Sequence, residues 1–126
     1  MSTVRFTSII VTSQLGDELI PVREKAIEIF KRLLAEDPVA GPGAHTLVGA
    51  IMPGLVNSDA TFLIAPDGSK DGWQTAEVAN KARAEFIKYL REWHGDHVDF
   101  VEIVMCRDLD YVCVTDKSIA TLHVLP

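Results

Sequence analysis

The chain has 126 residues, with 12 basic and 18 acidic side chains and a formal net charge of −6. Hydrophobic residues make up 48% and charged residues 24%, a globular balance that excludes a disordered, collagen-like or coiled-coil chain. The acidic excess also argues against nucleic acid as a partner, because neutralising phosphates needs a surplus of Lys and Arg.

One domain over residues 1–126 is expected, and a chain of this length buries enough surface to fold without a disulfide or metal. Cys106 and Cys113 sit in apolar runs at a spacing that matches no zinc or redox signature. They read as buried free thiols. The start, Met1 to Phe6, lacks the basic and then apolar pattern of a leader. No run approaches the roughly 18 apolar residues of a membrane span. A cytoplasmic protein with no membrane partner is expected by elimination.

The first element predicted is a strand over Arg5–Ser13. Phe6, Ser8, Ile10 and Thr12 alternate against Thr7, Ile9, Val11 and Ser13, and β-branched residues are plentiful. A helix follows, with Pro21 in its first turn, where a missing N–H costs nothing. Val22, Ala26, Ile29, Phe30 and Leu33 form its apolar stripe. Glu28 and Arg32 make a favourable i,i+4 pair, and Asp37-Pro38 ends the helix.

Pro38–Ala44, with two glycines and two prolines, reads as a loop or flap. Thr46–Met52 then reads as a second strand and Thr61–Ala65 as a third, joined in a hairpin. Asp67–Gly72 is a dense turn signal. The second helix is predicted over about Trp73–Trp93, with Asp71 and Gln74 as a capping box. Its buried stripe is Ala79, Ala82, Phe86, Leu90 and Trp93, and Gly95 is placed for a left-handed cap. Val98–Cys106 is a fourth strand, Tyr111–Thr115 a fifth, and Ile119–Leu125 a sixth strand or an arm.

The order βαββαβ plus one or two strands is the split-βαβ, ferredoxin-like plan: an α+β domain whose antiparallel sheet carries both helices on one face. The other face is then bare. One register puts Ile9, Val11, Val101 and Ile103 on it, and an uncovered apolar face invites a partner. Self-association as a C2 dimer is expected from this face and the apolar tail.

Asp67, Ser69 and Asp71 occupy positions one, three and five of a calcium-loop pattern, with Gly72 at six. The twelfth position, where a bidentate Glu belongs, is Val78, and a strand precedes the loop where a helix should. The three are metal candidates, but a structural turn accounts for them and no metal or cofactor is expected. His94 and His97 flank Gly95, so no helical face makes them converge on a metal. His45 beside the Gly/Pro segment, His94, His97 and Tyr111 are the acid–base candidates. The acid pairs Asp17/Glu18, Glu36/Asp37 and Asp108/Asp110 read as solvated turn residues. No nucleophile elbow, P-loop or dinucleotide fingerprint is present.

The functional expectation is therefore a non-catalytic, acidic protein-binding, regulatory or immunity-type module that meets a basic protein partner and forms a homodimer. The competing reading is a small ferredoxin-like dimeric enzyme or ligand carrier with a pocket between sheet and helices. Convergence of His45 with another titratable group in an apolar cavity separates the two.

Overall fold

The computed structural model describes residues 3–93 and 97–118. Strand β1 (Phe6–Ser13) leads through a 3₁₀ turn (Gly16–Glu18) into helix α1 (Leu19–Leu34). A second 3₁₀ segment (Gly41–Leu47) precedes β2 (Met52–Pro53) and β3 (Ala60–Ile64). Helix α2 (Gln74–Glu92), β4 (Val98–Cys106) and β5 (Tyr111–Lys117) complete the order. The result is an α+β structure with a five-stranded antiparallel sheet in the order β2-β3-β1-β4-β5. Among the described residues no helix is long and apolar enough to cross a membrane.

The strand period of two sorts the sheet into two faces. Thr7, Ile9, Val11 and Ser13 of β1 are buried, as are Ala60, Phe62 and Ile64 of β3 and Phe100, Val104 and Cys106 of β4. Val11 lies between Phe62 and Phe100 in register. Over this face lie Leu19, Val22, Ala26, Ile29, Phe30 and Leu34 of α1, and Ala79, Ala82, Phe86 and Leu90 of α2. Leu34, not Leu33, is the fully buried end of the α1 stripe. On the opposite face Ile10 pairs with Leu63 and with Val101, and Ile103 pairs with Val114. The sequence expectation is corrected here: Ile9 and Val11 point to the helices, and their neighbour Ile10 shares the open face with Val101 and Ile103. Phe6, Met52, Met105, Val112 and Val114 are exposed on that face as well.

The segment expected as flap and strand is the largest departure. Asp37 is buried, not solvated, and its Oδ1 accepts hydrogen bonds from the N–H of Val39 and Ala40, each at 2.9 Å. Thr75 Oγ1 donates to the same oxygen at 2.8 Å. Farther on, Thr46 Oγ1 donates to Gly43 O at 2.7 Å, and buried Ala44 anchors the segment. These short-range bonds satisfy the backbone locally, so residues 41–47 wind as 3₁₀ and do not extend. Only Met52–Pro53 pairs as β2, while Gly49 N and Ala65 N bond across to Leu63 O and Leu47 O.

Two smaller expectations also change. Cys106 is buried but Cys113, on the β5 edge, is exposed. Helix α2 has Trp73 at its N-cap with no side-chain capping bond, so Asp71 and Gln74 form no capping box. Gly95, and residues 119–126 with their expected sixth strand, lie outside the described residues.

Candidate functional site

The sheet has two chemically distinct ends. At one end, β1 leaves the sheet and β3 enters it. Gly16 N donates to Ser58 O at 2.7 Å, which clips the 3₁₀ turn to the β2–β3 hairpin. A Cβ on Gly16 would lie 2.8 Å from Ser58 O and 2.9 Å from Ala60 Cβ, so only glycine permits this approach. Beside the clip lies a cleft of about 530 Å³. Leu15, Ile20, Ile51 and Pro53 supply its apolar wall, and Asp17, Asn57, Ser58 and Asp59 its polar rim. None of the lining residues is basic. Leu15 and Ile20 are 45% and 51% exposed, and Asp17 and Asp59 are both exposed. Nearby, Glu18 Oε2 is buried with no hydrogen-bond partner among the described residues. In the hairpin that borders the cleft, Leu55 is fully exposed and Val56 is 67% exposed.

At the other end, the turn 67–72 closes over the start of β1. Gly72 has φ +88°, a left-handed conformation that favours glycine. Asp71 N donates to Thr3 O at 2.7 Å. The acidic side chains of the turn face arginines. Asp67 Oδ1 accepts from Arg83 Nη1 at 2.8 Å, with both side chains at least nine-tenths buried. Ser69 Oγ donates to the other Asp67 oxygen. Arg83 also donates to Asn80 Oδ1. Asp71 pairs with Arg5, whose Nε donates to Tyr111 Oη at 2.9 Å. Burial pushes the Asp67 carboxyl up, but hydrogen bonds from Ser69 and Arg83 and the guanidinium charge outweigh it, leaving the group below its ordinary value.

The metal candidates Asp67, Ser69 and Asp71 thus stand together, with guanidinium groups on both carboxylates. Among the described residues no three His, Cys, Asp or Glu side chains gather to hold a metal ion. A cation entering the turn would have to displace Arg83 from Asp67 and Arg5 from Asp71. Calcium up to millimolar concentration is therefore expected to leave the melting temperature unchanged, with or without chelator. Saturable binding by calorimetry below about 10 μM, the range of sensor loops, would reject this.

Among the described residues the acid–base candidates His45, His97 and Tyr111 do not meet. His45 lies in the 3₁₀ segment, with Nδ1 3.2 Å from Pro42 O. His97 is exposed just before β4. Tyr111 accepts from Arg5 at the opposite end of β4. His94 is outside the described residues. The pairing of Arg83 with Asp67 went unforeseen, although Arg83 lies on the α2 stripe, four residues after Ala79 and three before Phe86. A charged residue on an apolar stripe requires a partner, but the acids nearest in sequence are Glu85 and Glu77, so the stripe alone does not point to Asp67.

Comparison with family models, curated proteins and solved structures found no match to this chain.

Proposed function

We propose that this protein is a non-catalytic binding module that takes a basic segment of a protein partner in the cleft between the 3₁₀ turn and the β2–β3 hairpin. The observation that carries the reading is the pairing of an apolar wall with two exposed carboxylates and no basic group. A Lys or Arg side chain suits such a site. Its aliphatic stem packs on Leu15 and Ile20 while its charged head meets Asp17 and Asp59. The net charge of −6 steers basic partners toward the chain and speeds encounter. The order β2-β3-β1-β4, with α1 after β1 and α2 after β3, supports a ferredoxin-like frame for the module, extended by β5.

A titration of the ¹⁵N-labelled chain with a peptide alternating Lys and Leu tests the reading. Shift changes are expected to cluster at residues 15–20 and 51–60. Asp17→Asn with Asp59→Asn is expected to weaken binding up to about thirty-fold, since exposed ion pairs contribute about 1 kcal/mol or less each. A matched Glu/Leu peptide should not bind. Shifts elsewhere, or no saturation at millimolar peptide, would refute the proposal.

A ligand-carrier reading has one observation in its favour. A cavity of about 400 Å³ lies between α2 and β4–β5, lined by Asn80, Arg83, Ile87, Glu102 and Asp116 among others. A small molecule retained at one per chain in native mass spectrometry would move the function there.

A further inference from the structure

We infer that the open face of the sheet is covered by the same face of a second copy of this chain. Three observations lead there, independently of the cleft. The first is apolar character. Ile10, Leu63, Val101 and Ile103 are half-buried at the centre, and Met105 and Val112 are 48% and 70% exposed beside them. No helix crosses this side among the described residues.

The second is area. Strands about 4.8 Å apart and rising about 3.3 Å per residue make β3, β1, β4 and β5 a face of about 500 Å² in projection. Its apolar centre, with Val114 opposite Ile103, is flanked by Ser8, Thr12 and Thr61, and an apolar patch of this kind is often functional. Two such faces together bury about 1,000 Å², the threshold for a specific interface.

The third is charge. The chain carries −6, yet the pairing register leaves this face nearly uncharged. Asp99 and Lys117 are its charged residues among the described strands, and they lie near one corner, where Asp99 pairs with Thr12 and Lys117 with Val101. A basic partner finds little to neutralise there: Asp99 has Lys117 near it at one corner, and Asp110 and Arg107 together border Phe6, Met105 and Val112 at the β4–β5 turn. A second copy finds an apolar face that matches its own and meets little of the like-charge repulsion expected elsewhere on an acidic chain. The isologous contact of a C2 dimer is the closed solution, with inner faces about 10 Å apart as in a two-sheet sandwich.

Sedimentation equilibrium on the full chain, from 1 to 100 μM, is the test. A two-chain mass is expected. Met105→Lys with Val112→Lys is expected to weaken the dimer at least about ten-fold, because each Lys would be desolvated against apolar residues. Circular dichroism of the variant should match that of the parent. Val112→Lys alone, on the exposed edge strand, gives the same readout should the double variant misfold. A one-chain mass at 100 μM overturns the inference, and is the outcome if residues 119–126 of the same chain cover the face. A two-chain mass indifferent to both variants also overturns it, because association would then use another surface.

Discussion

Arg83→Met is expected to destabilise the fold by about 3–5 kcal/mol, the usual consequence of removing one partner of a buried ion pair. The side chains of Arg83 and Asp67 are 5% and 7% exposed. Methionine fills much of the arginine's volume, so the loss comes from the stranded carboxylate and not from a cavity. For a domain of this size the change should lower the melting temperature by about 10 °C or more. Its pH dependence separates this cause from simple mispacking. The folded-state carboxyl of Asp67 sits below its unfolded value, so it contributes stability above about pH 4, and that contribution is lost as pH falls through the lower, folded value. Without Arg83 the direction reverses. A buried, unpaired Asp67 favours its protonated form, so the variant's deficit should shrink as pH approaches 4. Arg83→Met combined with Asp67→Leu is expected to recover most of the loss, because an apolar pair can replace a buried ion pair at little net cost. A melting temperature for Arg83→Met within 2 °C of the parent, on an uncertainty of about that size, would show that the pair contributes little.

This pair also marks the boundary of what the sequence made legible. Ala79, Ala82, Phe86 and Leu90 recur at helical spacing, and all four are buried in α2. The bounds of β4 follow from alternation between Phe100, Val104 and Cys106 on one side and Val101, Ile103 and Met105 on the other. Such periodic patterns are local consequences of burial, so the chain carries them openly. Arg83 and Asp67 are different. Asp67 reads as a turn acid and Arg83 interrupts an apolar stripe, 16 residues apart, and only the packing of α2 against the turn makes them partners.

Three other differences between sequence and structure have equally specific causes. Thr46–Met52 is rich enough in apolar residues to suggest a strand. The bonds that Val39 N and Ala40 N donate to Asp37 and that Thr46 donates to Gly43 instead commit the chain to 3₁₀ turns before pairing with β3 can begin. The cleft was invisible because its walls come from three separate stretches: Leu15 to Ile20, Ile51 to Pro53, and Asn57 to Ala60. Their meeting depends on Gly16 approaching Ser58, a contact that no period or propensity encodes. The face of Ile9 depended on register, and a one-residue slip exchanges it with Ile10.

Phe86→Ala is expected to cost about 3–5 kcal/mol, the range for truncating a buried phenylalanine. Phe86 is fully buried, and its ring centroid lies 6.4 Å from that of Phe62 on β3 and 6.2 Å from that of Tyr89, nearly parallel to the latter. It therefore joins the helical layer to the centre of the sheet, and Phe62 sits directly opposite Val11 in register. Alanine removes both aromatic contacts and leaves a cavity that fixed strands on one side cannot close. Phe86→Leu keeps more of the apolar volume and should lose less. Thermal melts of the two variants should rank parent, Leu and Ala in that order, with Ala lower than the parent by about 10 °C or more. The same variant separates the two faces of the sheet. The sheet separates Phe86 from Ile10, Val101 and Ile103, so below its melting transition Phe86→Ala should retain the parent's two-chain mass, whereas Val112→Lys should lose that mass with little change in melting measured at low concentration. If Phe86→Ala instead dissociates while still folded, the two faces are not energetically separate and the helical layer also takes part in the association.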